Sequence, residues 1–153
     1  MSIGNVIQAI GAAAQSSSLK ARLSAGTSVS QNNPIPFDVT DFSIGSDITS
    51  DGAGTFTLKA GKTYKLTAYP RHDGGSVNTN QAWYNVTDAT QFPSTAVTPA
   101  ANFNGGFSGH GAIEEYITAV ADTDVQFRQT STSAITYSGG AGGAYITIDV
   151  VAG

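Results

Sequence analysis

The two histidines are the first candidates for chemistry, because imidazole titrates near neutral pH and serves as a general base. His72 lies in the segment RHDGG beside Arg71 and Asp73, and His110 lies in SGHGA. A nearby serine, Ser108 or Ser76, could complete a serine, histidine and aspartate arrangement. Serine is abundant in this chain, and the strained G-x-S-x-G turn that exposes a nucleophilic serine is absent. We therefore expect no enzyme activity and interpret RHD as a polar loop that ends a strand.

Paired carboxylates are the second candidate, because glycoside hydrolysis needs two carboxyl groups that flank one bond. Glu114 and Glu115 are adjacent in EEYITAV, a segment that alternates as a strand does. Neighbouring residues on a strand point to opposite faces, so these two carboxylates cannot act on one substrate. The sequence therefore does not support a hydrolase of surface polysaccharide.

The aspartates of the turn ADTD raise the question of a metal, since calcium prefers carboxylate oxygens. Asp122 and Asp124 could share this turn and bind calcium together with Asp47 or Asp51. The spacing of an EF-hand loop is absent, and aspartate is a common turn former. We interpret these residues as turn formers and expect neither a metal nor a cofactor.

Composition limits the classes of partner and the sites that this chain can have. The 153 residues carry a net charge of −4, and the 7 basic residues are scattered, whereas nucleic-acid binding needs clustered ones. Cysteine is absent, which excludes disulfides and zinc–thiolate sites. The N-terminus lacks a basic signal region, and no apolar stretch approaches the roughly 20 residues of a membrane span. We expect no nucleic acid, no membrane insertion and synthesis in the cytoplasm.

Residues 3–18 contain the only convincing helical pattern. Four apolar side chains follow the i, i+3, i+4, i+7 spacing of one helix face, namely Ile3, Val6, Ile7 and Ile10. A helix of this length is marginal alone, so the stripe must pack on its own domain, on sister chains or on a larger assembly. Three copies could also meet on an axis as a short bundle.

From Ala21 onward the sequence predicts strands and turns. In TFTLKAGKTYKLTAYP, Phe56 and Leu58 share one face, and Tyr64 and Leu66 share a face of the second run. Short strands between glycine-rich turns indicate a sandwich or barrel, and a parallel sheet is excluded because crossover helices are missing. The predicted strands are Ala21–Ala25, Ile35–Phe37, Ser43–Ile44, Thr55–Leu58, Thr63–Tyr69, Ala82–Thr87, Ile113–Val120, Val125–Thr130, Ala134–Tyr137 and Ala144–Val151.

An ordered series of segments carries a resemblance to a known family. An aliphatic-Ser-Ala opening and a Pro–Phe segment lead into an Asp/Gly turn within ARLSAGTSVSQNNPIPFDVTDFSIGSDITSDGAG. A patterned hairpin follows, with Gly54, Phe56, Thr57, Gly61 and Tyr64. The segments QAWYNVTDATQF, EEYITAVADTDVQFRQTS and AYITIDVV complete the series. The chain thus resembles the globular head shared by complement first-component and tumour necrosis factor-like proteins, in the versions found in bacteriophage virion proteins.

This resemblance covers about residues 21–151 and implies a fold and an assembly. It implies an all-β, antiparallel jelly-roll head over 21–153, a short N-terminal helix or arm over 1–20, and a tight homotrimer. Trimer packing would cover exposed sheet edges, and aromatic side chains dominate both cores and interfaces. We predict seven aromatic residues at the trimer interface or in the core, namely Phe56, Tyr64, Trp83, Tyr84, Tyr116, Phe127 and Tyr145.

The leading functional hypothesis is a structural protein of a bacteriophage virion. A trimeric head would decorate the capsid or form a spike, with other capsid or tail proteins as partners. The stripe of Ile3, Val6, Ile7 and Ile10 would anchor it to the particle. The localisation would then be the virion, after synthesis in the host cytoplasm.

The alternative hypothesis is a receptor-binding head that recognises host surface carbohydrate. Loops 71–81 and 102–111 place aromatic and polar side chains side by side, which suits sugar recognition as well as ordinary loop packing. The candidate ligand residues in these loops are Arg71, His72, Asp73, Phe103, Phe107 and His110.

Overall fold

A computed structural model describes residues 16–73, 79–93, 96–98, 101–102, 107–109 and 111–153. All regular secondary structure within these ranges is β-strand, which confirms the all-β prediction. The helix predicted over residues 3–18 lies outside the described residues, apart from its last three positions. The strands are β1 (Ser18–Arg22), β2 (Thr27–Val29), β3 (Val39–Ile44), β4 (Ile48–Ser50), β5 (Thr55–Leu58), β6 (Lys62–Tyr69), β7 (Arg71–Asp73), β8 (Thr79–Asn85), β9 (Thr90–Gln91), β10 (Ala96–Thr98), β11 (Ala101–Asn102), β12 (Phe107–Gly109), β13 (Ile113–Ala119), β14 (Thr123–Gln129), β15 (Ile135–Tyr137) and β16 (Tyr145–Ala152).

These strands form three sheets with antiparallel pairing throughout. Sheet I has the order β13-β6-β16-β1-β3, and sheet II has the order β10-β8-β14-β5-β4 with β9 added beside β8. Sheet III, built from shorter strands, has the order β11-β12-β7-β15-β2. Neighbours in each sheet are mostly distant in sequence, as the crossing connections of a jelly roll require.

Period-two alternation determines which side chains enter the core. Phe56 and Leu58 are fully buried, and so are Tyr64 and Leu66, as their spacing predicts. The closing strand behaves in the same way, since Ile146 and Ile148 are buried while Tyr145, Thr147 and Asp149 are only half-buried. The core is therefore a layer between sheet I and sheet II, continued under sheet III.

Two buried aromatic side chains make hydrogen bonds that join the sheets across this core. The indole N–H of Trp83 in β8 donates to the Ile113 carbonyl oxygen of β13 at 3.2 Å, which connects sheet II to sheet I. The phenol of Tyr137 in β15 bonds to Gln81 and Gln129 of sheet II, at 3.0 Å each. Buried polar groups are costly unless they are satisfied, so these contacts fix how the layers stack.

The prediction of a strand at Ile35–Phe37 is wrong, because the structure has no strand there. The Ile35 N–H donates to the Phe127 carbonyl oxygen at 2.9 Å. The side chains of Ile35 and Phe37 are both buried. Pro34 and Pro36 have no N–H, so this segment cannot form a regular ladder and follows β14 as an irregular extended chain instead.

The first strand begins at Ser18, three residues before its predicted start at Ala21. Leu19 is buried and Lys20 is half-buried on the other face, which is the alternation of a strand. Residues 18–20, predicted to belong to the arm, therefore lie in sheet I. Leu23 lies beyond the strand, where its N–H donates to the Ala144 carbonyl oxygen.

The turn between β5 and β6 is closed by Gly61 and Tyr64. Gly61 has a φ of +83°, a left-handed conformation that glycine adopts without strain. The Tyr64 phenol, buried below the turn, lies 2.8 Å from the Lys59 carbonyl oxygen, to which it donates a hydrogen bond. Burial raises the pKa of Tyr64 to about 12, with a smaller contribution from the Asp47 carboxylate.

We predict that the protein loses stability at alkaline pH partly through Tyr64. An unfolded tyrosine ionises near pH 10, whereas folded Tyr64 holds its proton to about pH 12. The free energy of unfolding should therefore fall as pH rises from about 10 toward 12. A Tyr64→Phe variant should be about 1 kcal/mol less stable at pH 7, through the lost hydrogen bond, yet lose less stability above pH 10. Urea unfolding at several pH values measures both, and parallel pH profiles would contradict the assignment.

Candidate functional site

The exposed large apolar side chains of the described residues gather on sheet I. Phe42 and Ile44 of β3 are 42% and 38% exposed, and Tyr116 of β13 is 58% exposed. Val120, directly after β13, and Val151 of β16 are also exposed. Scattered apolar residues are normal on a surface, but a grouping on one sheet marks a candidate interaction face.

Strand register arranges the outward side chains of sheet I in rows. The first row runs from Ile44 through Ser18, Asp149 and Lys65 to Tyr116. The Ser18 hydroxyl donates to the Asp149 carboxylate, and the Lys65 Nζ lies 6.0 Å from the centre of the Tyr116 ring. The row therefore has an apolar group at each edge of the sheet and a polar centre.

The second row has an apolar group at one edge of the sheet and a carboxylate at the other. It runs from Phe42 through Lys20, Thr147 and Thr67 to Glu114. Glu114 pairs with Lys65 of the first row, with 2.6 Å between Oε1 and Nζ. This contact raises the pKa of the Lys65 ammonium, chiefly through the hydrogen bond to the carboxylate.

Tyr69 and Tyr145 form an aromatic pair in a third row. Their rings stack with centroids 4.5 Å apart and an interplanar angle of 18°. The Lys20 Nζ lies 4.8 Å from the centre of the Tyr145 ring, a cation–π distance. Burial, together with the neighbouring Tyr69, raises the pKa of Tyr145.

Three cations of this outward face pair with carboxylates of the same face. Arg22 Nε lies 2.7 Å from the Asp41 carboxylate, and Lys20 Nζ lies 3.7 Å from the same group. Lys65 is paired with Glu114, as described above. A partner that covers this face therefore leaves none of these three cations without a carboxylate partner, which avoids the penalty of an unpaired buried charge.

The seven predicted interface or core aromatics divide between three places. Four of them are fully buried core residues, namely Phe56, Tyr64, Trp83 and Phe127. Tyr116 and Tyr145 lie on the outward face of sheet I, and Tyr84 lies on the outward face of sheet II. Strand register therefore decides which of the seven enter the core, and the interface part of the prediction stays a prediction.

The predicted loop RHD is a strand in the structure, so that interpretation is wrong. Arg71–Asp73 form β7, which pairs with β12 and β15 inside sheet III. The His72 side chain is fully buried, and a surface ligand cannot reach it. Arg71 is half-buried and donates to the Gly142 carbonyl oxygen.

The other predicted ligand residues are placed only in part. Phe107 begins β12, opposite Asp73 of β7, so this stretch of the second predicted loop is strand. Phe103 and His110 lie outside the described residues, as do the predicted anchor residues Ile3, Val6, Ile7 and Ile10.

The carboxylates predicted to point apart do so, since Glu114 is exposed while Glu115 is buried. The aspartates of the calcium alternative are bound by protein groups instead. Asp122 accepts hydrogen bonds from Lys59 Nζ at 2.6 Å and from the Ala60 N–H at 3.0 Å. Asp124 accepts a hydrogen bond from the Thr57 hydroxyl at 2.6 Å.

The two remaining aspartates are also engaged. Asp51 accepts hydrogen bonds from the backbone N–H groups of Ala53 and Thr55 within its own turn. Asp47 accepts a hydrogen bond from the Ser17 hydroxyl, which lowers the pKa of its carboxyl group. Among the described residues, no three His, Asp or Glu side chains are grouped so as to hold a metal ion.

In the part of the chain that the structure describes, no helix has the length and apolar character that crossing a bilayer requires.

Solved structures share this architecture. The chain is similar to a crystal structure of murine APRIL, with 10% identity, a TM-score of 0.66 and coverage of 90% of this chain and 100% of that one. It is similar to the globular domain of zebrafish complement 1qA protein, with 10% identity, a TM-score of 0.58 and coverage of 89% and 96%. It is also similar to the PRD1 phage vertex protein P5, with 16% identity, a TM-score of 0.54 and coverage of 88% and 95%.

No protein-family model matches the sequence, and no curated protein matches it. Identities of 10% to 16% show the fold alone. That fold is the antiparallel jelly roll of tumour necrosis factor-like and complement globular heads, as the ordered sequence motifs predict.

We predict that calcium does not stabilise the protein. Hydrogen bonds from Lys59, Thr57 and Ser17 already occupy carboxylate oxygens that a cation would need. The melting temperature should therefore change by less than about 1 °C between millimolar Ca²⁺ and EDTA, because a ligand stabilises only the state that binds it. Differential scanning calorimetry in the two buffers measures this. A rise of several degrees with Ca²⁺ would reveal a site.

Proposed function

We propose that this chain is a structural protein of a bacteriophage virion, a homotrimeric decoration or spike protein held to the particle by its N-terminal arm. The observation that carries the proposal is the outward face of sheet I, which collects exposed apolar side chains and matches its own charges. The likeness to a phage vertex protein supports the setting, since it shows that this fold also serves phage particles.

The outward face of sheet I is the surface that a second and a third copy would cover. Its edge strands β3 and β13 carry Phe42 and Tyr116, so the apolar groups lie where neighbouring copies would meet. A stable interface buries about 1,200–2,000 Å² with an apolar core. A five-stranded sheet face offers surface on that scale, and covering it would also protect both edge strands.

The head would receive its arm at the same sheet. The Ser17 carbonyl oxygen accepts a hydrogen bond from the Val150 N–H at 2.9 Å, and the Ser16 hydroxyl donates to the Val150 carbonyl oxygen at 2.7 Å. Residues 16 and 17 are thus fixed beside β16, and an arm preceding them starts from sheet I. Three arms leaving one trimer would strengthen a weak individual contact by avidity.

The role on the particle would be passive. Trimerisation and anchoring need surfaces rather than a reacting group, and we propose no enzyme activity. The four arm residues Ile3, Val6, Ile7 and Ile10 would pack into a groove of a capsid or tail protein, while the head projects from the virion.

A receptor-binding head is the second candidate, favoured by a cavity at sheet III. This cavity of about 220 Å³ is lined by Arg71, Ser138, Gly139 and Gly142, next to the predicted ligand loop. Arg71 and Ser138 place polar groups in its wall, as small-molecule sites do. Free protein that competes with phage adsorption to host cells would favour this candidate over a purely structural role.

We predict that the protein is a trimer at micromolar concentration and that sheet I holds it together. Replacing both Phe42 and Tyr116 by Asp would place charges within the proposed contacts between copies, so the trimer should dissociate to monomers. Light scattering coupled to size-exclusion chromatography measures the mass. Thr49→Asp, at an exposed position of β4 in sheet II, is the matched control and should stay trimeric. A monomeric wild-type protein would contradict the assembly.

We also predict that removing residues 2–15 separates assembly from anchoring. This truncation keeps Ser16 and Ser17, whose hydrogen bonds to Val150 belong to the head. The truncated protein should remain a folded trimer but fail to incorporate when phage particles assemble in cells that supply it. Mass spectrometry of purified particles measures incorporation. Wild-type levels of the truncated protein in the particles would refute the anchoring role.

A further inference from the structure

A second cavity lies on the opposite side of the sandwich, on the outward face of sheet II. Its volume is about 300 Å³, the lower end of the range for small-molecule sites. Four segments meet around it, namely the turn before Pro34, β8, β9 and β14. Its lining residues are Asn32, Ala82, Tyr84, Gln91, Arg128 and Thr130.

Strand register explains why a cavity forms here. Ala82 of β8 lies directly opposite Arg128 of β14, so the smallest side chain of the row faces the largest. Tyr84 lies opposite Gln91 of the short strand β9, which ends after two residues. The missing volume at Ala82 and the early end of β9 leave a cavity whose floor is the sheet itself.

Arg128 is held rigidly at this cavity. Its guanidinium carbon lies 3.6 Å from the centre of the Tyr84 ring, a close stacking distance. Its Nε donates to the Gln126 Oε1 at 2.8 Å. No hydrogen bond to a described residue engages its two terminal nitrogens. These nitrogens form the planar fork that pairs with a carboxylate through two parallel hydrogen bonds.

The charge of Arg128 is not matched within the described part of the protein. Five of the seven basic residues form ion pairs with aspartate or glutamate, namely Lys20, Arg22, Lys59, Lys62 and Lys65. Arg128 forms no ion pair with any described carboxylate, and none of the described residues that line the cavity is acidic. The chain has a net charge of −4, so the protein as a whole repels an anion. The fixed positive charge of Arg128 would attract an anion to this cavity.

The rest of the lining offers uncharged hydrogen-bonding groups. Asn32 has a φ of +62°, and its N–H donates to the Gln129 carbonyl oxygen at 2.7 Å, so its position is fixed. The side chains of Asn32, Gln91 and Thr130 form no hydrogen bond with another described residue. Each of these two amides and the hydroxyl can donate and accept hydrogen bonds. This capacity matches a ligand rich in hydroxyl groups.

We propose that this cavity binds the carboxylate-bearing unit of an acidic saccharide. Arg128 pairs with the carboxylate, while Asn32, Gln91 and Thr130 bind hydroxyl groups of the sugar ring. A phosphate is a poorer match, since its two charges would meet one cation. The inference goes beyond the proposed function and does not depend on it, because the cavity lies on sheet II and the proposed trimer contact lies on sheet I.

The test is calorimetric titration of the full-length protein in a buffer free of carboxylates. The probes are glucuronate and N-acetylneuraminate, with methyl glucoside as a neutral sugar and N-acetylglutamate as an acidic compound that is not a sugar. We expect millimolar dissociation constants for the acidic sugars and at least tenfold weaker binding of both other probes.

Variants assign the binding to the cavity. Arg128→Gln should weaken glucuronate binding at least tenfold, because a charge-assisted bidentate pair is lost. Tyr84→Ala, which removes the stacking surface, should weaken it less. Lys59→Gln removes the same charge at a distant ion pair and should leave the affinity unchanged. Circular dichroism of each variant confirms that the fold is retained.

The remaining outcomes overturn the proposal. Equal binding of methyl glucoside would remove the role of the charge, and equal binding of N-acetylglutamate would make the ligand an acidic peptide rather than a sugar. No measurable binding of either acidic sugar, or wild-type affinity in a folded Arg128→Gln variant, would reject the site. If Arg128→Gln fails to fold, loss of glucuronate binding in folded Arg128→Lys, which lacks the planar fork, decides in its place.

Discussion

The pairing of β16 with both β1 and β6 is the constraint on which this molecule depends. Five residues of β1 and seven of β6 are matched to the closing strand, so sheet I exists only when these three distant segments meet. Once they do, Ile146 and Ile148 point to the core, and every outward side chain of the sheet has a fixed neighbour. The rows from β3 to β13 follow from this register, because slipping by one residue would expose the core face.

The two outward faces of the sandwich differ in how their cations are paired, although the same alternation builds both. On sheet I, Arg22 and Lys65 have carboxylate partners on the same face, and the exposed surface is apolar at its edges. On sheet II, Arg128 lines the cavity and is held by an aromatic ring and an amide. The first arrangement favours contact with another copy of the chain, and the second favours a charged small ligand. A single rigid fold can therefore carry assembly and recognition on separate sides.

The sequence predicts those parts of the fold that rest on local pattern. Thr55–Leu58 is placed correctly because its alternation and its glycine turn lie within a few residues. Ile35–Phe37 is mistaken for a strand because its buried side chains alternate, while its flanking prolines prevent a ladder. His72 is mistaken for a loop residue because a three-residue strand such as β7 gains its structure from its neighbours. No local sequence pattern predicts the Arg128 cavity, since its lining comes from three distant segments, residues 32, 82–91 and 128–130.

The position of β16 also bears on how the protein is made. This strand is the last of the sandwich to leave the ribosome, yet it lies at the centre of sheet I, between the first strand and a middle one. Until it emerges, β1 and β6 have no shared partner and their apolar sides stay uncovered. Closure of the head thus waits for this strand and depends on long-range contacts, which form slowly. Several nascent chains on one polysome hold such unpaired strands close together. Strands of neighbouring chains can then pair wrongly with each other before each head has closed.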